Sequence, residues 1–138
     1  MADFDGRIST AVDEFIRYAS PVMTFRRTAA EDTTLAGRQI HAGDKVVMFY
    51  SSGNRDAEVF TDPDKFDLSR NPNPHVAFGG GGRHMCLGNQ LAKSMLRAMW
   101  RELLTRVPDI HATSEPKLLG TNFIRGVKTI NAAFTPQR

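Results

Sequence analysis

The sequence predicts an α+β fold whose strands lie mostly in hairpins. Two segments carry apolar residues at helical spacing, and the segments around them alternate short strand patterns with turn residues. The length of 138 residues suffices for one small domain, and a hydrophobic content of 41% is ordinary for a soluble globular protein.

The first half of the chain predicts one helix followed by extended segments. Ile8–Tyr18 has helical apolar spacing and is stopped by Ser20-Pro21. Val22–Arg27 is predicted to be extended, and Thr33–His41 to form two short strands around a glycine-containing turn. Lys45–Tyr50 is predicted to be a buried strand, because it is a run of β-branched, apolar and aromatic residues.

The second half predicts an irregular segment, a long helix and a hairpin tail. Asn54–His75 is rich in Pro, Asp and Asn, with short helical turns expected near 57–60 and 63–66. Leu87–Val107 has a broad apolar face and should form the longest helix, ended by the proline that follows. Ile110–Phe134 predicts short strands with turns at its glycines.

Composition excludes several classes of function. One cysteine excludes an internal disulfide and suits a reducing cytosol, so we expect a cytoplasmic protein. No apolar run reaches the length of a membrane span. The net charge of +3 comes from dispersed basic residues, which is too weak a signal for nucleic-acid binding. The four histidines are scattered and do not have the spacing of a zinc site.

Cys86 ends a glycine-rich run that leads into the long predicted helix. The run is Phe78-Gly79-Gly80-Gly81-Gly82-Arg83-His84-Met85-Cys86-Leu87-Gly88. Backbone N–H groups and a helix N-terminus stabilise a thiolate, and glycines let a backbone approach a large flat group. A lone cysteine is usually a small buried hydrophobe, and a phosphate-binding loop would end in Gly-Lys-Ser/Thr, which is missing here.

The run resembles the haem-binding loop of cytochrome P450 enzymes. His84, Cys86 and Gly88 fall in register with that family's pattern. Phe78 lies eight residues before Cys86, where the commonest pattern has seven. A further glycine in this loop also occurs in the bacterial branch that hydroxylates sterol side chains and methyl-branched lipids.

Glu14 and Arg17 form a second constellation, three residues apart on one predicted helical face. By spacing alone, such a pair is most often a solvated surface ion pair. It also matches the family's Glu-x-x-Arg motif, which implies a buried pair that braces the core with a third, basic residue. Lys65 and Arg70 are the two candidates for that third member.

The extended stretch after the first helix is the third constellation. By resemblance it passes beside the substrate and ends in an arginine that pairs with a haem propionate, for which Arg27 matches better than Arg26. A guanidinium suits this role because its fork binds a carboxylate with two donors. The tail resembles the family's last substrate-contacting turn. The implied substrate-lining residues are Val22, Met23, Thr24 and Phe123.

The resemblance implies a haem-thiolate monooxygenase that hydroxylates C–H bonds of a hydrophobic small molecule. Cys86 would be the axial thiolate ligand of the haem iron, and thiolate donation favours cleavage of the O–O bond of dioxygen. The other implied haem-binding residues are Arg27, Phe78, Gly79, His84 and Gly88. Electrons would come from a ferredoxin-type partner, docked on a basic face that includes Arg83, Lys93 and Arg97.

The length of the chain sets the form of this hypothesis, because members of the family are several times longer. Residues 1–138 are therefore expected to be the C-terminal, haem-ligating portion of the P450 domain, without the central distal helix and N-terminal half. Its first residues read like an internal segment, which favours truncation. The alternatives are a non-catalytic product of a truncated or split gene, with a separate N-terminal half, and a thiol-based redox or haem-sensing module.

Overall fold

A computed structural model describes residues 4–136 of the chain. Three helices are present in this part: α1 (Phe4–Ala19), the short α2 (Tyr50–Gly53) and α3 (Asn89–Arg106). The strands are β1 (Thr24–Thr28), β2 (Thr33–Leu35), β3 (Arg38–Ile40), β4 (Lys45–Phe49), β5 (His111–Ala112), β6 (Lys117–Leu118), β7 (Val127–Thr129) and β8 (Ala132–Ala133). The predicted α+β class is confirmed.

The described strands pair into two-stranded antiparallel sheets. The pairs are β1 with β4, β2 with β3, β5 with β8 and β6 with β7. The β2–β3 hairpin turns at Ala36 and Gly37, which both have positive φ, of 48° and 76°. Hydrogen bonding in β1–β4 runs from Thr24 opposite Phe49 to Thr28 opposite Lys45, and this ribbon carries one wall of the site described below.

The core is small and lies between α1, α3 and the segment that precedes the glycine-rich loop. Val12, Ile16 and Ala77 are buried in it, and partly buried apolar residues pack around them: Ile8, Phe78 and Leu96. Aromatic stacking extends this contact, since the rings of Phe15 and Trp100 lie 4.8 Å apart. The glycine-rich loop is thus attached to the helices through residues 77 and 78.

Helix boundaries differ slightly from the predictions. α1 begins at Phe4 rather than Ile8, and α3 begins at Asn89 rather than Leu87. Leu87 and Gly88 instead form a turn after the cysteine. The segment after α2 is irregular, as predicted, and a single helical turn closes where the Phe60 amide donates to Asp56 O at 2.8 Å.

The prediction that Lys45–Tyr50 is a buried strand is wrong. β4 alternates exposed and half-buried residues, with Phe49 62% exposed, and Tyr50 begins α2. The physical reason is that β1 and β4 form a two-stranded ribbon on which little of the described chain packs, since four of five β1 residues and three of five β4 residues are exposed. The apolar composition of this segment therefore predicted a strand correctly but not its exposure.

The broad apolar face predicted for α3 is present but is covered only in part, since Leu96 packs against the core while other residues of the face are exposed. Leu91 and Met95 are 65% and 63% exposed, and Leu87 and Met99 continue the same stripe at a spacing of four residues. A helix normally buries such a stripe against another element. Between residues 4 and 136, no helix combines the length and apolar character that crossing a bilayer requires.

Candidate functional site

One cavity of about 700 Å³ brings together five of the six residues that the resemblance implies for haem binding, with Gly88 as the exception. Its lining consists of Ile16, Pro21, Val22, Phe25, Arg27, Tyr50, Ala77, Phe78, Gly79, His84, Cys86, Ala92 and Leu96. One wall comes from β1 and α2, and the other from the glycine-rich loop and α3. The lining is largely apolar, and its basic side chains are Arg27 and His84.

Cys86 is exposed and is held in place through its backbone. Its amide donates to Phe78 O at 2.8 Å, which closes the glycine-rich loop into a ring. Its carbonyl accepts from the side-chain amide of Asn89, the first residue of α3, at 2.7 Å. The thiol is therefore presented to the cavity just before the N-terminus of α3.

Two glycines of the loop lie close to its functional groups, and one of them has a backbone conformation that favours glycine. Gly79 has φ of +91°, a backbone conformation that residues with a Cβ rarely adopt, and a Cβ there would lie 3.5 Å from His84 O. A Cβ on Gly88 would lie 3.9 Å from the Cys86 Sγ. The residue next to the thiol, Gly88, therefore adds no side chain there.

Arg27, rather than Arg26, faces the cavity. Side chains alternate along β1, so Phe25 and Arg27 lie on the cavity face and Arg26 on the other. The Arg27 guanidinium lies 5.8 Å from the Phe25 ring centroid, and its Nη1 donates to the Arg26 carbonyl oxygen at 3.2 Å. Within residues 4–136, the other nitrogens of the Arg27 guanidinium donate to no protein acceptor. They can therefore bind an anionic group.

Of the expected substrate-lining residues, Val22 lines the cavity. Met23, Thr24 and Phe123 are not among the lining residues of the described chain. The Met23 amide donates to Phe123 O at 2.9 Å, and the Phe123 ring packs edge-on against Phe25 at 5.6 Å. These residues support the wall that Val22 and Phe25 present.

Glu14 and Arg17 lie behind the cavity as a fully buried ion pair. Arg17 donates from Nε and Nη2 to the two carboxylate oxygens of Glu14, at 2.7 and 2.8 Å. Its Nη1 donates to the carbonyls of Asn54 and Pro63 at 2.7 and 2.8 Å, and Nη2 also donates to Lys65 O at 3.1 Å. Every guanidinium donor is used, which is the condition under which a buried charge is tolerated.

Arg70 is the basic side chain that faces this pair. Its Nε lies 3.3 Å from Glu14 Oε2, and its remaining nitrogens donate to the carbonyls of Thr61, Asp62 and Lys65. Lys65 takes part through its carbonyl oxygen. Of the two candidates for the third member of the network, the geometry therefore favours Arg70.

The surroundings of Glu14 determine its ionisation. Burial by itself would raise its pKa, but hydrogen bonds from Arg17 and the Asp67 amide, with the charges of Arg17 and Arg70, hold the pKa below its ordinary range. Glu14 is thus ionised at neutral pH, and its oxygens also accept from Asp67 N at 2.8 Å and Asn73 Nδ2 at 3.1 Å.

His75 forms a further buried cluster that the sequence did not indicate. Its Nε2 lies 3.7 Å from Asp13 Oδ1, and Lys93 Nζ lies 2.7 Å from the same oxygen. Burial lowers the pKa of His75, the charges of Lys93 and Arg17 act in the same direction, and the Asp13 carboxylate opposes them. The ion pair with Asp13 also changes the expectation for Lys93, whose charge is neutralised there rather than free on a docking face.

Asn54 is the other residue that sequence analysis missed. It is fully buried, and its side chain hydrogen-bonds Ser20 Oγ and the Val76 amide. An asparagine in a Pro- and Asp-rich irregular segment is usually a turn residue, so no local pattern distinguishes a buried one. Its position between α1 and the glycine-rich loop is shown by its hydrogen bonds in the folded chain.

Comparison with known proteins identifies the family. The model of the cytochrome P450 family matches residues 8–122, so the chain belongs to the cytochrome P450 family. Members of this family bind haem through a cysteine thiolate, which confirms the predicted class of protein and cofactor.

Two similar relatives are bacterial proteins. The chain is 52% identical over 129 residues to the methyl-branched lipid omega-hydroxylase of Mycobacterium tuberculosis, covering 94% of this chain and 30% of the relative. It is 45% identical over 130 residues to the linalool 8-monooxygenase of Pseudomonas putida, covering 94% and 32%. The chain thus spans about a third of the length of the curated relatives that it matches.

Solved structures agree with the fold. A Mycobacterium marinum cytochrome P450, CYP268A2, in complex with pseudoionone superposes with a TM-score of 0.93 at 56% identity. The match covers 96% of this chain and 32% of that chain. The fold is therefore that of part of a cytochrome P450, as the sequence predicted.

Arg17→Lys should strongly destabilise the fold. Lysine cannot donate to both Glu14 oxygens and to three carbonyls, so several carbonyls stay buried without partners and Glu14 loses its two-donor contact, at a cost of about 3–5 kcal/mol. The control is Arg106→Lys, since Arg106 pairs with Glu102 at the surface and the change should cost less than about 1 kcal/mol. Urea denaturation of both variants measures the difference, and equal losses would contradict a bracing role for the buried pair.

The folded chain should lose stability as the pH falls below about 6.5, the usual pKa of histidine. His75 has a lowered pKa in the folded state, so below this pH the unfolded chain binds a proton that the folded chain does not. His75→Gln should flatten this part of the profile, whereas His111→Gln, at an exposed position, should leave it in place. Unfolding free energies between pH 5 and 8 test this, and an unchanged slope in His75→Gln would refute it.

Proposed function

We propose that this chain forms the proximal part of the haem site of a cytochrome P450 monooxygenase, with Cys86 as the axial thiolate ligand. The observation that carries the proposal is that Cys86, Arg27 and His84 converge on a single, largely apolar cavity. These groups match iron protoporphyrin. A thiolate can bind the iron, two basic side chains can pair with its two carboxylates, and apolar walls suit its hydrophobic ring.

The lining residues fit haem in particular ways. Phe78, Ala77 and Leu96 offer apolar contact to a ring face, and Gly88 adds no side chain next to the thiol. Arg27 supplies a guanidinium fork for one propionate, and His84 a ring N–H for the other. In this proposal Phe78 also keeps water from the thiolate side of the ring.

The remaining named residues support this arrangement, either from outside the cavity or from its β1 wall. Glu14 and Arg17 fix α1 to the irregular segment that leads to the loop. Val22, Phe25 and Tyr50 line the cavity on the β1 side. When bound, a haem with a thiolate ligand supplies the insertion of one oxygen atom of dioxygen into a C–H bond.

The substrate in this proposal is a hydrophobic small molecule. The relatives named above act, by their names, on a methyl-branched lipid and on linalool, and a further relative is a steroid C26-monooxygenase of M. tuberculosis, 44% identical over 129 residues. We favour a lipid or sterol, with Val22 on the lining and Met23, Thr24 and Phe123 in support of it.

Electrons come from a ferredoxin-type donor in this proposal. Arg83, within the loop, and Arg97, in the middle of α3, remain candidates for its basic docking face. Lys93 contributes less charge to that face, since it is paired with Asp13 at 2.7 Å.

We further propose that residues 1–138 are one part of the P450 domain and that a segment equivalent to the rest of the relatives completes it, in the same polypeptide or as a separate N-terminal half. The chain matches about a third of its relatives' length. The exposed stripe of Leu91, Met95 and Met99 on α3, with Leu87 just before it, supports this, because a helix face of this kind is stable when another element covers it.

Cys86→Ser tests the ligand assignment. The purified chain loaded with haem should show a thiolate-type Soret band in a reduced, carbon-monoxide difference spectrum, and the serine variant should lose that band because an alcohol is a poor ligand for this iron. A thiolate band that persists in Cys86→Ser would disprove the assignment, as would its absence from the parent chain. Haem bound without a thiolate band would favour a haem-sensing module.

Arg27→Leu should weaken haem binding by about tenfold or more, because it removes a charge-assisted hydrogen bond to a propionate. Arg26→Leu is the matched control, since this neighbouring arginine lies on the other face of β1. Haem titration followed by absorbance measures both affinities. Equal losses in the two variants would assign the effect to net charge and contradict the role given to Arg27.

A further inference from the structure

Asn54 is a fully buried residue that uses all of its polar groups. Its amide donates to Tyr50 O at 2.9 Å, and its carbonyl accepts from Arg17 Nη1 at 2.7 Å. Its side-chain Nδ2 donates to Ser20 Oγ at 2.9 Å, and Oδ1 accepts from the Val76 amide at 2.7 Å. A carboxamide with every group paired in a buried site has one orientation available to it.

The side chain of Asn54 links the end of α1 to the start of the cysteine-bearing loop. On one side, Ser20 Oγ donates to Arg17 O at 2.7 Å, which ties the linkage to α1. On the other, Val76 begins a turn in which the Gly79 amide donates to Val76 O at 2.8 Å. Phe78 lies within this turn, and its carbonyl oxygen accepts from the Cys86 amide at 2.8 Å.

Packing at the neighbouring residue strengthens the same joint. A Cβ on Gly53 would lie 3.3 Å from Val76 Cγ2, closer than an ordinary van der Waals contact. The Val76 side chain therefore lies beside Gly53 with little room for an added methyl group. Val76 is held through its amide by Asn54, and its side chain faces the neighbouring residue of the same segment.

The backbone of Asn54 belongs to the opposite wall of the cavity. It follows α2, where the Tyr50 amide donates to Met23 O at 2.9 Å next to β1. β1 carries Arg27, and Tyr50 lines the cavity. Asn54 thus joins the wall that presents Arg27 to the wall that presents Cys86.

We propose that Asn54 is a positioning residue that sets the place of Cys86 relative to Arg27, by fixing the Val76 amide to α1 and α2. The identity of the bound group rests on the proposed function, but the joint itself is a property of the polypeptide. Asn54 acts through Val76 and Phe78 and does not line the cavity.

The test compares Asn54→Leu with Thr10→Val in the full chain without haem. Leucine has a similar volume and cannot accept from Val76, so exchange of the Val76 and Cys86 amides should accelerate about tenfold relative to the Val12 and Ile16 amides in α1. Thr10→Val removes the hydrogen bond from Thr10 Oγ1 to Leu68 O, outside the joint at Asn54, so these two amides should keep their protection relative to α1. Hydrogen exchange followed by NMR measures all four amides.

A second variant covers the case in which Asn54→Leu does not fold. Gly53→Ala retains every group of Asn54 but adds a Cβ that must displace Val76 by a few tenths of an ångström. It should accelerate exchange at the same two amides. Uniform acceleration across α1 and the loop, or no change at Val76 and Cys86, would overturn the proposal, because a general loss of stability does not single out the loop.

A spectroscopic measurement separates this inference from the proposed function. In the haem-loaded chain, the fraction of bound haem with a thiolate-type band should fall in Asn54→Leu and stay at the parent value in Thr10→Val. A parent chain with no such band would refute the proposed function while the exchange data still decide the role of Asn54. An unchanged fraction in Asn54→Leu, beside a parent with the band, would overturn the positioning role.

Discussion

The buried pair of Glu14 and Arg17 is the interaction on which the rest of the structure depends. Most of the chain between α2 and α3 is neither helix nor strand, so its backbone carbonyls have few partners of their own. Arg17 supplies donors to three of these carbonyls, and Glu14 accepts from an amide in the same segment. One ion pair on α1 therefore organises an irregular segment that apolar packing alone would not fix.

This dependence explains why a charged pair occupies a position that apolar residues often fill equally well. Replacing a buried ion pair by hydrophobic residues is frequently neutral or stabilising when the pair only satisfies itself. Here the guanidinium also satisfies carbonyls at residues 54, 63 and 65, which would lose their partners in an apolar replacement. Because the apolar core contains few buried residues, the polar network carries an unusual share of the specificity of the fold.

Sequence reasoning predicted those parts of the molecule that local patterns determine. Helical spacing located α1 and α3, and glycine turns located the hairpins, because both follow from neighbours along the chain. It did not predict the exposure of β4, the preference for Arg70 over Lys65 or the burial of Asn54. Each of these depends on which distant segments meet: β4 has a single partner strand, Arg70 reaches α1 across the irregular segment, and Asn54 lies between elements far apart in sequence.

The two walls of the cavity are built differently, and this places a physical demand on the residues that join them. β1 and β4 form a hydrogen-bonded ribbon, so Arg27 has a place defined by register, whereas Cys86 lies in a loop with several glycines at positive φ. Such a loop has many accessible conformations and gains its fixed place from outside contacts. A cavity that presents Arg27 from one wall and Cys86 from the other keeps its shape only when the two walls have a fixed relation. In our proposal the hydrogen bonds of Asn54, satisfied on both sides and shielded from water, are the contacts that supply this relation.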